Sequence, residues 1–364
     1  MKVAHVFATM QRGGAELRTL ELLHQLDGLV EQRVLCLVSA DGGLARAFEE
    51  VDAPVTLMKA KDPRILLSSR MLVRGMDVVH AHVNLIGGAV VALAWLAGVP
   101  VRVVHFRSDG SGLAGGWKAR LSDRFFRLLI SWFATDIVGV SPGSLTFGWD
   151  DRWRSDPRCR VVVPGLDSSR FEGISPADLG SGPVIVHVGR EVTVKNRPQA
   201  VRVMAEVVKK HPGVRLLFVG RDDAVLSEEC RAEVARCGLG ESVEWLGERS
   251  DVASILARAD VLLLTSLHEG LPGVALEARA SGVPVVATRL PGTEYISERL
   301  EGVRLHELAE EPSRWADSVG AFLGRALGEA ERLNDLEQFR RSEFDMRNAA
   351  KGFLNLWKGE SRES

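Results

Sequence analysis

Short apolar runs alternate with longer helix-like stretches along the whole chain, and this alternation limits the folds that it can adopt. The apolar runs of strand length cover residues 2–8, 33–38, 77–80, 101–106, 136–140, 160–163, 183–188, 214–219, 242–246, 260–265 and 283–287. Strands that alternate with helices form parallel sheets that helices cover on both faces. The sequence therefore predicts an α/β fold.

The apolar runs fall into two sets, and a stretch of linker composition separates them. Residues 172–183 read EGISPADLGSGP, which is rich in glycine, proline and serine. A chain of 364 residues is long enough for about two domains. We predict two doubly wound, Rossmann-like domains that face a cleft, over residues 1–174 and 183–342. Ligands of such sheets bind beyond the carboxyl ends of the strands.

Charge and cysteine content exclude several classes of protein. The chain has 46 basic and 48 acidic residues, a formal charge of −2, so it has no overall attraction for nucleic acid. Its four cysteines form no CxxC pair, which argues against a zinc site and a disulfide scaffold. The first eight residues resemble a strand rather than a signal peptide. Residues 83–101 are uncharged but interrupted by glycine and proline, so they predict a helix and a strand rather than a membrane span. We predict a cytoplasmic location.

One block carries the strongest functional signal. Residues 266–277, SLHEGLPGVALE, place Glu269 and Glu277 on either side of a Gly/Pro turn that follows the apolar run 259–265. Pro272 suits the first turn of a helix, where its missing N–H costs nothing. The free N–H groups of that turn and the helix dipole favour an anion, most often a phosphate. The pattern predicts a site for a phosphorylated sugar, with its hydroxyls on the two carboxylates.

This block resembles the glutamate-x7-glutamate motif of the retaining GT-B glycosyltransferases of the GT4-like group. Residues 278–288 and 290–294 match the same family's pattern, and the resemblance extends back to Gly13 and Gly14. It implies a GT-B fold and the transfer of a sugar, with retention and without metal, from a UDP- or GDP-linked donor to an acceptor hydroxyl. Cell-surface polysaccharides and secondary metabolites are the implied products. It also implies that a C-terminal helix, residues 343–364, packs back on the first domain. The alternative is a simple last helix of the second domain.

The same resemblance assigns roles to individual residues. Arg190 and Lys195 would neutralise the leaving diphosphate, Glu277 would hold the ribose, and Glu269 would act as a catalytic residue on the donor sugar. The chain departs from the family at Asn196, where a glycine usually follows the lysine. The other implied donor-binding residues, which contact the base or the diphosphate, are Gly13, Gly14, Arg221, Leu246, Gly270, Leu271, Pro272, Gly273 and Val274. For Gly13 and Gly14, a plain turn between strand and helix is the alternative.

Histidines form a second group of interest. His105 ends the apolar run 101–106, and the resemblance places it near the transferred sugar as a catalytic residue. A structural histidine at a strand end is the alternative. His80 and His82 share one face of a strand because they lie two positions apart. The sequence shows no further ligands beside them, so we predict no metal there but an acceptor-site or structural role. The resemblance implies no cofactor, since the nucleotide sugar is a substrate.

Two familiar motifs are rejected on chemical grounds. Residues 139–143, GVSPG, fit the GxSxG pattern of serine hydrolases, but Pro142 has no N–H for the oxyanion hole. Residues 110–115, GSGLAG, fit a dinucleotide-binding loop, but Arg107 to Asp109 separate them from their strand. We interpret this stretch as a mobile loop near the acceptor.

A helix predicted over residues 118–133 combines arginines with large apolar side chains. This pattern suits peripheral contact with the inner face of the cell membrane, but an ordinary covering helix has the same pattern.

Two alternatives to a transferase stay open: another GT-B chemistry such as a nucleotide-sugar epimerase, and a non-catalytic nucleotide-sugar-binding subunit. The acceptor class also stays open between a glycan, a lipid-linked intermediate and a small molecule.

Overall fold

Two parallel β-sheets organise the protein, which we describe from a computed structural model. The structure describes residues 1–11, 13–38, 43–58, 71–108, 116–324 and 329–360. The chain divides into two units: Met1–Asp167 with Glu343–Ser364, and Ser168–Ser342. The first unit is therefore formed by two separate segments of the chain.

The first unit is built on a sheet of seven described strands in the order β3-β2-β1-β4-β5-β6-β7. Its strands are β1 Lys2–Phe7, β2 Glu31–Cys36, β3 Val55–Leu57, β4 Val78–Ala81, β5 Val101–Phe106, β6 Asp136–Gly139 and β7 Cys159–Val161. Its described helices are α1 Gly14–Gln25, α2 Ala45–Glu49, α3 Gly87–Leu96, α4 Trp117–Phe133 and α5 Pro142–Gly148, with a C-terminal helix described below. Every residue of β4 and β6 is buried, as in a strand covered on both faces.

The second unit repeats the same plan with six described strands in the order β10-β9-β8-β11-β12-β13. Its strands are β8 Val184–Val188, β9 Arg215–Val219, β10 Val243–Gly247, β11 Val261–Leu264, β12 Val285–Thr288 and β13 Val303–His306. Its described helices are α6 Arg197–Lys210, α7 Ala224–Arg236, α8 Val252–Arg258, α9 Gly273–Ala280, α10 Pro291–Ser297, α11 Pro312–Gly320 and α12 Glu329–Arg341. In both sheets the strand order reverses once, between β1 and β4 and between β8 and β11, and ligands bind at such reversals.

The C-terminal helix α13, Met346–Lys358, is part of the first unit. The backbone of Leu166 exchanges two hydrogen bonds with the chain that enters α13, at 2.8 Å and 2.9 Å. Gly165 has a φ of +73°, and a Cβ there would lie 2.7 Å from the methyl group of Ala349. Phe353, Leu356 and other side chains of α13 are buried in one core cluster with residues of β1, β4 and β5. The helix therefore completes the cover of the first sheet.

Two strands were not predicted from the sequence. β3 and β13 lie at the edges of their sheets and are partly exposed, so neither forms a continuous apolar run. Helix α9 begins at Gly273, which puts Pro272 at the N-cap, one position before the predicted first turn. Across the described ranges, no helix combines the length and apolarity that crossing a membrane requires.

Candidate functional site

The reversal of strand order in the second unit brings two sequence-predicted residues into contact. Lys195 follows β8 and Glu269 follows β11, and the two strands are neighbours in the sheet. The Lys195 Nζ lies 2.5 Å from Glu269 Oε1, which also accepts a hydrogen bond of 2.9 Å from Ser266 Oγ. About 20% of the Lys195 side chain and 15% of that of Glu269 are exposed. This ion pair thus stands, still accessible, at the edge of the sheet where ligands bind.

The loop between β8 and α6 explains the departure from the family pattern at Asn196. This residue has φ 49° and ψ 49°, the left-handed conformation that glycine adopts most easily. Asparagine is one of the few other residues that tolerate it. The loop can therefore follow the path that a glycine would give it.

The carbonyl of Gly189 lies against the loop that follows β9. Gly220 has a φ of +132°, and a Cβ there would lie 2.3 Å from Gly189 O. No side chain fits between the two loops at this point. Glycine at position 220 is therefore required by both backbone conformation and space.

Arg197 is a residue that the sequence analysis missed. Its guanidinium is buried and donates to Gly189 O at 3.1 Å and to Asp222 Oδ1 at 3.0 Å. It also lies 3.3 Å from Glu191 Oε2, which accepts a hydrogen bond from Ser227 Oγ. Arg197 thereby ties the loop after β8 to the loop after β9. An arginine in the first turn of a helix resembles a surface residue in sequence, so no local pattern reveals its burial.

The predicted turn at residues 270–274 leads into α9. A Cβ at Gly292 would lie 2.3 Å from Gly270 O, so the start of α10 packs directly on this turn. Leu267 N donates to Val194 O at 2.8 Å and joins the turn to the loop after β8. Pro272 is buried, whereas Leu271, Gly273 and Val274 are partly exposed. The N-terminal N–H groups of α9 therefore begin within four residues of Glu269 along the chain.

The other predicted donor residues lie on neighbouring loops. Glu277 is half-buried in α9, a little over one turn from the start of the helix. Arg190 follows β8 and Arg221 follows β9, and both are exposed. Leu246 is half-buried near the end of β10, where Gly220 N donates to Gly247 O at 2.8 Å. All of these residues except Glu277 follow or end strands at one edge of the sheet.

Gly13 and Gly14 belong to the first unit, at the start of α1. Gly13 is the N-cap, and its carbonyl accepts the first helical hydrogen bond from Leu17 N at 3.0 Å. A Cβ at Gly13 would lie 2.6 Å from Glu16 Oε2, whereas a Cβ at Gly14 would meet open space. Gly14 therefore leaves room for close approach of a ligand to the helix start.

His105 lies in a buried group that we call the histidine layer: His5, His80, His82 and His105. His80 and His105 stack with their ring centroids 5.1 Å apart, and His80 and His82 stack at 4.2 Å. Burial lowers the pKa of His5 to about 4 and lowers the pKa of the other three well below 6.5. Nearby, burial lowers the pKa of Arg107 to about 10. The layer is therefore neutral at neutral pH, beside one positive charge.

The histidine layer places a third potential metal ligand, His5, beside His80 and His82, which the sequence did not reveal. Nitrogen atoms of His5, His80 and His82 all lie within 4.8 Å of one another, which is close enough for a shared metal ion. However, both nitrogens of each of these rings already form hydrogen bonds within the protein. The positive charge of Arg107, 3.2 Å from His82 Nδ1, also opposes a cation. The geometry therefore favours a hydrogen-bonded network over a metal centre.

Helix α4 presents an apolar stripe to solvent. The exposed side chains recur every three or four residues and are Trp117, Leu121, Phe125, Leu128 and Trp132. At 3.6 residues per turn they lie on one face, with exposed Arg120 and Arg124 beside them. Trp95 of α3 continues the stripe, because its exposed ring packs against the ring of Phe133 with the two ring centroids 5.0 Å apart. Residues 109–115, which include the predicted loop 110–115, lie outside the described residues.

Comparison with known proteins connects these features. Residues 13–146 match the family described as glycosyl transferase 4-like domain, and residues 182–324 match the family described as glycosyl transferases group 1. EpsF of Bacillus subtilis, which is named as a glycosyltransferase, is 28% identical over 98% of this chain and 96% of its own length. The capsular polysaccharide biosynthesis glycosyltransferase CapH of Staphylococcus aureus is 24% identical over 89% of this chain and 91% of its own length.

Solved structures give the same result for the fold. HepE of Anabaena, in complex with UDP and glucose, has a TM-score of 0.79 at 18% identity and covers 99% of this chain and 100% of its own. Sucrose-phosphate synthase of Thermosynechococcus elongatus has a TM-score of 0.73 at 16% identity, over 99% of this chain and 98% of its own. These likenesses, with the two parallel sheets, confirm the predicted GT-B fold.

Proposed function

This chain belongs to the group 1, GT4-like glycosyltransferases, and from that premise we propose that it transfers a sugar from a UDP-linked donor to an acceptor hydroxyl with retention of configuration. The observation that carries the proposal is the Lys195–Glu269 pair at the reversal of strand order, 2.5 Å from nitrogen to oxygen. UDP is preferred over GDP because HepE, which shares the fold, was solved with UDP.

In the proposed reaction, charge develops on the departing diphosphate. Lys195 and Arg190 stabilise it, together with the N–H groups at the start of α9. Glu269 accepts a hydrogen bond from the Lys195 ammonium and so holds the ammonium at the edge of the sheet. The second carboxylate oxygen of Glu269 accepts a hydrogen bond from a hydroxyl group of the donor sugar. Glu277 holds the ribose. These groups act where charge grows in the transition state, so they lower the barrier rather than only tightening binding.

Retention follows from front-face departure and attack. The bond from the anomeric carbon to the diphosphate oxygen breaks, and the bond to the acceptor oxygen forms on the same face. The acceptor proton passes to the departing phosphate oxygen, so no protein nucleophile takes part. No metal is proposed, because two cations and a helix N-terminus supply the positive potential.

Calorimetric titration of UDP and GDP without metal tests the donor site. We expect UDP to bind and Lys195→Ala to weaken binding about tenfold or more, because a charge-assisted contact to phosphate is lost. Lys209→Ala is the matched control, because Lys209 is an exposed lysine paired with Glu206 on the surface of α6. Equal affinity of the Lys195→Ala variant and the wild type for UDP would refute the assigned site. Binding of GDP but not of UDP would mean that the donor is GDP-linked, and it would leave the assigned site residues unchanged.

We further propose that the acceptor is a cytoplasmic glycan precursor in polysaccharide biosynthesis. CapH, similar along most of the chain, is named for capsular polysaccharide biosynthesis. Transfer of label from UDP-sugar to lipid-linked or free oligosaccharides tests this class directly. Conversion of the UDP-sugar in the absence of any acceptor would instead indicate an epimerase. Binding without turnover in either assay would indicate a non-catalytic subunit.

The apolar stripe of α4 supports a proposal of peripheral contact with an anionic membrane. Large apolar side chains can enter the headgroup region while Arg120 and Arg124 reach lipid phosphates. We expect sedimentation with vesicles that contain phosphatidylglycerol, and little with phosphatidylcholine alone. Phe125→Glu should abolish it, whereas Val225→Glu, at an exposed apolar position of α7, should not. Equal sedimentation of the two variants would refute the proposal that the apolar stripe of α4 contacts the membrane.

A further inference from the structure

Two hydrogen-bonded chains run through the histidine layer, and their directions follow from their ends. In the first chain, the guanidinium of Arg107 can only donate, so His82 Nδ1 accepts at 3.2 Å. His82 Nε2 then donates to His5 Nδ1 at 3.1 Å, and His5 Nε2 donates to Gln32 Oε1 at 3.1 Å. This chain ends on an acceptor, so each of its groups is satisfied.

The second chain starts on the C-terminal helix. The indole N–H of Trp357 can only donate, and it lies 3.1 Å from His80 Nδ1. A neutral His80 therefore carries its proton on Nε2, which lies 3.0 Å from His105 Nδ1. His105 Nδ1 must accept, so the proton of a neutral His105 lies on Nε2.

This second chain ends in an unused donor. His105 Nε2 is fully buried and has no hydrogen-bond partner among the described residues. A buried N–H without an acceptor destabilises the protein, and an oxygen atom of a bound molecule would remove that cost. Burial keeps His80 and His105 neutral, since it lowers the pKa of both well below 6.5. The direction of the chain therefore does not change near neutral pH.

We propose that Trp357 and His80 are positioning residues that fix His105 as a neutral hydrogen-bond donor, with its Nε2–H left to donate to an oxygen atom of a bound substrate. The identity of that ligand rests on the proposed function, but the tautomer does not. The consequence for chemistry is specific: His105 donates a hydrogen bond and does not act as a base. The last helix of the chain thus decides the chemical form of a residue on β5.

Nitrogen NMR of the histidine side chains in the free protein tests the tautomer without any activity. We expect His105 and His80 of the full-length wild type to carry their protons on Nε2. Trp357→Phe keeps an aromatic ring but removes the N–H, so His80 and His105 should become mixtures of tautomers. The matched control is Trp315→Phe, because Trp315 is equally buried, stacks on His306, and its N–H has no partner among the described residues. A proton on His105 Nδ1 in the wild type, or an unchanged tautomer in the Trp357→Phe variant, would overturn the proposal.

Substitution of His80 provides a second test if the tryptophan variant does not fold. His80→Gln keeps an N–H donor toward His105 and should preserve its tautomer, whereas His80→Leu should not. In the transfer assay we expect kcat to fall about tenfold in the Trp357→Phe and His80→Leu variants, with recovery in the His80→Gln variant. Altered tautomers with full transfer activity would overturn the link to the ligand. Failure of the wild type to transfer any sugar would overturn the proposed function and leave the tautomer result intact.

Discussion

Acidification should destabilise the first unit far more than the second. The first unit buries His5, His80, His82 and His105, whereas the described part of the second has one comparably shifted histidine, His187, whose pKa burial lowers to about 3. Each imidazole stays neutral in the folded state and protonates near pH 6.5 when unfolded. The unfolded chain therefore binds more protons at acid pH, so the free energy of unfolding falls as pH drops below about 6.5 and is restored above it.

The size of this effect follows from proton linkage. Between about pH 7.5 and about pH 5.5, one such histidine removes about 1.4 kcal/mol of stability. Four of them remove about 5 kcal/mol from the first unit, and His187 removes about 1.4 kcal/mol from the second. A loss of about 5 kcal/mol is comparable to the whole stability of many domains.

Hydrogen exchange measured by mass spectrometry separates the two units in the intact protein. Peptides that cover β1, β4 and β5 report on the first unit, and peptides that cover β9 and β11 are the internal reference, after correction for intrinsic exchange rates. His80→Gln should reduce the pH dependence of the first unit by about one quarter. His24→Gln, at an exposed position of α1, should not change it. Equal pH dependence in both units would refute the reasoning.

Three further outcomes are expected. Glu277→Ala should lower kcat/KM for the nucleotide sugar about ten- to hundredfold, because a hydrogen-bonded carboxylate is lost. An unchanged kcat/KM in initial-rate kinetics would show that Glu277 does not belong to the donor site. Asn196→Gly should be nearly neutral in urea unfolding, whereas Asn196→Val should cost about 1–2 kcal/mol or more because valine resists a positive φ; equal stabilities would contradict the role of Asn196. Transfer activity should survive EDTA, and its loss with recovery on adding a divalent cation would disprove metal independence.

Local sequence patterns were sufficient to predict the class of fold. The strands β1, β5 and β8 were predicted to within one residue at each end, because each is a short run in which most residues are apolar. The motif at residues 266–277 was recognisable because its turn, helix start and two glutamates are adjacent in sequence. The edge strand β13 escaped prediction because it is partly exposed and only two of its four residues are apolar. Periodicity reports burial, and burial is incomplete at an edge.

The arrangement of the candidate site depended on tertiary structure. Lys195 and Glu269 are 74 positions apart, and only the pairing of β8 with β11 brings them together. The histidine layer gathers residues from β1, β4 and β5, and its direction is set by Trp357, which lies 277 positions from His80. Arg197 is buried only because two loops close over it. The sequence by itself thus determined most of the strands and marked the short motif at residues 266–277 as a candidate anion site, because both depend on neighbouring residues. Which distant side chains meet, and in which protonation state, was decided by strand order and burial, which are properties of the folded chain.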